Sequence, residues 1–153
     1  MEDKGRRTSG MPEIEFPYIE QESKIFGKIL RPLLSLEFFS NLREDWIPVD
    51  EVLADTGADV TILPRFIGEL SVDDITTGQY IEIKGVVPSA ALVAFIHQMK
   101  IRIGGKEFRL PVAIADSNAV PSILGRVSSL DRFDVSFLKG KNVKSSWEEQ
   151  GDV

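Results

Sequence analysis

The chain has 153 residues, 42% hydrophobic and 27% charged, which is the length and apolar content of one domain around one core. It has no Cys and a single His, which excludes disulfides, thiolate nucleophiles, thiolate metal sites and multi-histidine metal centres. The net charge is −6, and Lys and Arg are scattered apart from small groups at Lys4, Arg6, Arg7 and at Lys139, Lys141, Lys144, which excludes the broad basic footprint that nucleic acid requires.

Residues 1–12 are polar, contain Gly5, Gly10 and Pro12, and have no apolar period, so a disordered N-terminal arm is expected there and the domain is expected over residues 13–144. From Ile25 onward, short apolar runs are separated by Gly, Pro, Asn and Asp, the pattern of an all-β chain. Leu34, Leu36 and Phe38 alternate with Ser35 and Glu37, which predicts a half-buried strand. Asn41-Leu42-Arg43-Glu44-Asp45 then reads as a loop before a strand ending in Val52-Leu53-Ala54. Thr61-Ile62-Leu63 continues extended to Pro64, and residues 65–70 are predicted to make one helical turn.

Tyr80-Ile81-Glu82-Ile83 and residues 91–96 predict a hairpin whose tip, Gly85-Val86-Val87-Pro88-Ser89, is built of small residues. Residues 99–103 and 108–115 flank Gly104-Gly105-Lys106-Glu107, a second hairpin in which the paired glycines supply positive φ. His97 falls in the apolar run before it and reads as an ordinary strand histidine. Ser122-Ile123-Leu124-Gly125 closes a short strand on a glycine, residues 126–133 are predicted to form a short helix, and Val135-Ser136-Phe137-Leu138 a last strand. Residues 145–153 form a C-terminal tail with Trp147 as its candidate anchor. No run approaches the roughly 18 apolar residues that span a bilayer, and Met1-Glu2-Asp3-Lys4-Gly5 lacks the apolar core of a secretory signal, so no membrane partner and a cytoplasmic location are expected.

The most informative run is Val52-Leu53-Ala54-Asp55-Thr56-Gly57-Ala58-Asp59, an apolar strand that stops on a tight turn carrying a carboxylate. Carboxylate hydrolysis of a peptide needs two such groups sharing one proton, so that one takes a proton from water while the other donates to the carbonyl. Asp-Thr-Gly occurs once and the chain has no internal repeat, so the second Asp has to come from another copy of the chain by two-fold symmetry. Dimerisation is therefore part of the catalytic expectation.

With Ala58-Asp59 after the tripeptide, a hairpin around Gly85, and Ile123-Leu124-Gly125-Arg126 downstream, residues 34–138 resemble the retropepsin-like aspartic proteases, the single-lobe relatives of pepsin that include the retroviral enzymes. The resemblance implies a closed β-barrel-like acid-protease lobe with one short helix near the C-terminus, functional as a homodimer. It implies that Asp55 is the catalytic carboxylate, that the Thr56 hydroxyl ties two active-site loops together, and that Gly57 lets a backbone N–H approach the carboxylate. Ala58, Asp59, Gly85, Val86 and Val87 would contact substrate, with Asp59 paired to Arg126 at the cleft edge, and Ile123, Leu124 and Gly125 would pack beneath the Asp55 turn. The tip around Gly85 departs from the glycine-rich viral flaps in carrying Pro88, which restricts motion. The longer arm before Asp55 departs too, so Val135-Ser136-Phe137-Leu138 becomes the candidate interface strand.

These residues imply a homodimeric aspartic endopeptidase that cuts extended polypeptide through water held between two copies of Asp55, without metal or organic cofactor. A dimeric peptide-binding module that does not cut is the alternative, and an adaptor that recruits partners through its two arms is a third. Ala58 cannot donate the hydroxyl hydrogen bond that a Ser in that place would give the carboxylate, so activity at mildly acidic to near-neutral pH is expected.

Overall fold

The structure, a computed structural model, describes residues 11–84 and 91–149. Twelve strands and one α-helix are formed among them: β1 (Glu13–Pro17), β2 (Ile19–Ser23), β3 (Gly27–Arg31), β4 (Leu33–Ser40), β5 (Asp45–Ala54), β6 (Thr61–Leu63), α1 (Arg65–Ser71), β7 (Gln79–Lys84), β8 (Ala91–Ile103), β9 (Lys106–Ala115), β10 (Ile123–Leu124), β11 (Asp134–Leu138) and β12 (Asn142–Ser146). No helix among the described residues is long and apolar enough to cross a membrane.

Six of the strands close on themselves. β4 pairs with β5, β5 with β10, β10 with β6, β6 with β9, β9 with β8, and the end of β8 returns to β4, with β7 paired along the earlier part of the same β8 edge. Closure leaves an interior that the alternating side chains fill, and Leu34, Phe38, Val52, Leu63, Ile101, Leu110, Val112, Ile114 and Leu124 are all fully buried there. The strands follow from their patterns. In β4, Leu34, Leu36 and Phe38 point into the barrel while Ser35 is exposed, and β8 turns into β9 over Gly104-Gly105, with Gly104 at φ +58. β6 and β10 are buried by the neighbours that flank them, so two or three residues suffice to form each.

One irregularity aims the chain toward Asp55. Leu36 faces Val49 and Leu34 faces Val52, so Asp50 and Glu51 together oppose Ser35, with Glu51 at φ +58. A β-bulge of this kind bends its strand and increases its twist, here four residues before the Asp-Thr-Gly turn.

Several expectations are corrected. The α-helix is the earlier segment, Arg65–Ser71, whereas residues 126–133 hold only a 3₁₀ turn at Leu130–Arg132. Ser128 takes φ +59 and the Ser129 hydroxyl bonds back to the Gly125 carbonyl, so the backbone there leaves the helical path. The C-terminal tail expected from residue 145 begins inside β12, with Ser145 and Trp147 buried. β12 lies between β11 and β1, the Trp147 N–H reaches the Pro12 carbonyl at 3.1 Å, and Trp147 stacks edge-on with Phe133, which stacks on Phe108 of the barrel. β1, the β2–β3 hairpin and β12 were not anticipated as strands. His97 is in β8, as read, and its Nε2 lies 2.7 Å from the Ile75 carbonyl, to which it donates.

Candidate active site

Asp55 is the first residue beyond β5, at the point where the strand passes beside β10. Its N–H donates to the Leu124 carbonyl at 3.1 Å and its carbonyl accepts from the Ala58 N–H at 3.2 Å, which fixes both sides of the turn. The Gly57 N–H donates to Asp55 Oδ1 at 2.9 Å. A Cβ at Gly57 would lie 3.3 Å from that same oxygen, a tight contact that the carboxylate would have to relieve by a small shift. Asp55 is half-buried, Thr56 and Gly57 are exposed beside it, and Ala58 is half-buried. The turn thus presents a carboxylate with one fixed N–H donor and an open side.

The residues around Ile123 and Arg126 lie against the Asp55 turn. Ile123 pairs with Leu53 on one side and Ile62 on the other, Leu124 pairs with Ala54, and the Arg126 and Val127 N–H groups donate to the Ala58 and Asp59 carbonyls, each at 2.9 Å. Arg126 Nη2 donates to Asp59 Oδ1 at 3.0 Å, and its Nη1 lies 3.5 Å from Asp131 Oδ2. The Asp59 hydrogen bond and the Asp131 and Asp59 charges hold the guanidinium pKa above its ordinary value. Asp59 remains strongly exposed and its contact with Arg126 is in solvent, so the pair braces the turn without sealing it. Gly85, Val86 and Val87 lie outside the described residues, and β7 and β8 are the strands that lead to them.

Two features escaped the sequence reasoning. The first is a second apolar cluster outside the barrel core, in which Ile62, Ala94 and Ala113 are packed by the half-buried Val60, Ile81 and Ile123. Its sequence signal was Thr61-Ile62-Leu63, apolar on both faces as a strand buried on both sides requires. The second is Arg31. It precedes Pro32, whose carbonyl accepts the Ala54 N–H at 3.2 Å, and its Nε is sealed from solvent without a hydrogen-bond partner among the described residues. No group of three or more His, Cys, Asp or Glu is placed to hold a metal ion among the described residues.

No protein-family model and no curated protein matches the chain. The crystal structure of a retropepsin-like aspartic protease from Rickettsia conorii aligns with a TM-score of 0.56 at 16% identity, covering 90% of this chain and 94% of that one. EIAV protease complexed with the inhibitor HBY-793 aligns with a TM-score of 0.44 at 24% identity, covering 63% of this chain and 82% of that one. The first likeness, extending over nearly the whole of both chains, shows the fold: the chain adopts a retropepsin-like lobe, mostly β, with a closed six-strand barrel and one α-helix among the described residues.

Proposed function

We propose that the chain is one half of a homodimeric aspartic endopeptidase in which Asp55 of each protomer shares one proton and a water molecule. The observation that carries this reading is the Asp55 turn itself, a half-buried carboxylate with a fixed N–H donor on a retropepsin-like lobe, and only one such turn per chain. In the dimer the ionised Asp55 takes a proton from water, the hydroxide equivalent adds to the peptide carbonyl, and the protonated Asp55 donates to the carbonyl oxygen. Collapse of the tetrahedral intermediate with proton return to the leaving nitrogen separates the products. No metal and no organic cofactor is needed for this sequence of steps.

One surface supports a second copy. Among the described residues β11 has β12 on one side only, and Phe137 and Leu138 are exposed along it, which suits strand or side-chain contact with another chain. Thr56, exposed next to Asp55, takes the role of joining the two turns, Ala58 and Asp59 that of flanking the peptide, and the aliphatic cluster around Ile62 and Ile123 favours apolar side chains in it.

The decisive test is Asp55→Asn against the wild type on a diverse peptide library. Wild type cuts and Asp55→Asn does not, while both show the dimer mass in solution. A wild-type dimer that binds peptides without cutting them would replace this reading with the binding module. Since Ala58 supplies no hydroxyl to the pair, the rate peaks at mildly acidic to near-neutral pH, and a peak in strong acid would count against that assignment.

A further inference from the structure

Gly125 closes β10 directly after Leu124, whose carbonyl receives the Asp55 N–H. Its backbone lies so near the Asp55 turn that a Cβ would come 2.5 Å from the Val60 carbonyl oxygen and 3.0 Å from that of Ala58. Two buried hydroxyls that the proposed chemistry does not use close on this one residue. Thr61, 1% exposed, accepts the Gly125 N–H on Oγ1 at 3.0 Å, and Ser129, 0% exposed, donates its hydroxyl to the Gly125 carbonyl. The two hydroxyl oxygens are 3.4 Å apart.

Each hydroxyl has one proton, which settles the direction of every bond. The Ser129 proton is committed to the Gly125 carbonyl, so between the two hydroxyls Thr61 donates and Ser129 accepts. The bonds then run one way round a closed ring: Gly125 N–H to Thr61, Thr61 to Ser129, Ser129 to the Gly125 carbonyl. In a buried ring each donor is polarised by the one before it. The ring also joins the two arms of the Asp55 turn. The incoming arm is tied to Leu124 through the Asp55 N–H, and the outgoing arm, at Thr61, is tied to Gly125, the next residue.

We propose that Thr61 and Ser129 are positioning residues for Asp55, a buried hydroxyl ring that sets how far the carboxylate turn stands from the Gly125 strand. The proposal rests on the reading of Asp55 as a catalytic carboxylate. Two-fold symmetry magnifies its effect, because any displacement of one turn is repeated in the other and changes the separation of the two carboxylates twice over. That separation governs how strongly the two groups share a proton.

Thr61→Val, Thr61→Ser and Ser129→Ala test it, with dimer mass and far-UV spectrum as folding controls. In Thr61→Val and Ser129→Ala, kcat falls about tenfold to a hundredfold with KM near wild type, and the acid limb of the kcat profile moves, whereas Thr61→Ser keeps wild-type values. The double variant is no worse than the worse single one, since the ring breaks only once. Thr61→Val behaving like Thr61→Ser, or an unmoved acid limb, overturns the proposal. Amide exchange provides a readout independent of proteolysis: Thr61→Val speeds exchange at Gly125 and Asp55 and leaves the β8–β9 amides unchanged. If the wild type cuts nothing, the functional reading falls and exchange alone judges the ring, with unchanged protection at Gly125 and Asp55 overturning it. Should Thr61→Val fail to fold, Ser129→Ala decides, because Gly125 there keeps its N–H bond to Thr61 and its carbonyl keeps the Leu130 N–H at 3.1 Å.

Discussion

The floor beneath Asp55 and the β2–β3 hairpin are both β structure, and they are assembled by opposite means. In the floor, strands of two or three residues are held by chain far away in sequence: Leu53 N–H to the Ser122 carbonyl at 3.0 Å, Asp55 to Leu124, Arg126 to Ala58 and Val127 to Asp59. The hairpin is regular and local, in register from Ile19 with Arg31 to Ser23 with Gly27. Its tip is closed by Ser23 Oγ, which accepts from the Ile25 and Phe26 N–H groups, and by Gly27 at φ +77. Yet Ile25 and Phe26 are 82% and 73% exposed. The comparison separates hydrogen-bonded regularity from stability: the irregular floor buries its side chains and the regular hairpin leaves its tip in water.

The two glycines make the contrast measurable. Gly125→Ala drives a Cβ against backbone that cannot rotate away, the Val60 carbonyl at 2.5 Å, and is expected to destabilise by about 3 kcal/mol. Gly27→Ala meets nothing within 4 Å and suffers only the cost of positive φ for an L side chain, about 1 kcal/mol. Denaturant midpoints of the two variants measure the difference, and equal losses would abolish the distinction between floor and hairpin.

Side-chain truncation tests the same contrast one step down. Leu124→Ala empties a fully buried site in the floor and should cost about 2 to 4 kcal/mol. Phe26→Ser removes a larger ring from the hairpin tip and should change stability by no more than about 0.5 kcal/mol. A large loss at Phe26 would mean that the tip is covered in solution, and dilution would then lower the midpoint of the wild type.

Legibility in the sequence followed the same division. β4 and the β8–β9 hairpin could be read because alternation over many residues or a Gly-Gly turn announced them, and the Asp55 turn because an apolar strand that stops on Asp-Thr-Gly announces a tight turn. β1 and β12 were missed for a physical reason. Glu13-Ile14-Glu15-Phe16-Pro17 does alternate, with Ile14 and Phe16 turned to the core, but the alternation is only four residues long, lies beside a polar arm and stops at Pro17, and its pairing partner starts at Asn142, far away in sequence. The β2–β3 hairpin was missed because Glu20, Glu22 and Lys28 fill its outer face while Ile25 and Phe26 sit at the tip, which reverses the usual pattern. The helix expected at 126–133 was lost to Ser128 and Ser129, whose contribution depends on a buried carbonyl that only the folded floor brings near. Arg31 stayed invisible because an orphaned Nε is a property of packing.

A third place shares the local construction of the hairpin and should yield to pH. Asp74 precedes the 3₁₀ turn Ile75–Thr77, and its Oδ1 accepts from the Thr76 hydroxyl at 2.7 Å and the Thr76 N–H at 2.9 Å. Those two bonds, led by the hydroxyl and helped by the nearby His97 and Arg65 charges, hold its carboxyl pKa below the ordinary value. A depressed carboxyl pKa contributes stability that is fully present above the unfolded-state value, about 3.9, and is lost as pH falls through the folded value. Because Asp74 is exposed the contribution is small, the smallest of the effects expected here. Asp74→Asn should therefore be less stable than wild type at pH 7, and the gap should close as the pH falls below about 4. Denaturant midpoints of the two proteins across that range measure it. Parallel curves would mean that the turn is held by the His97 bond to the Ile75 carbonyl instead, placing it with the long-range floor rather than with the hairpin.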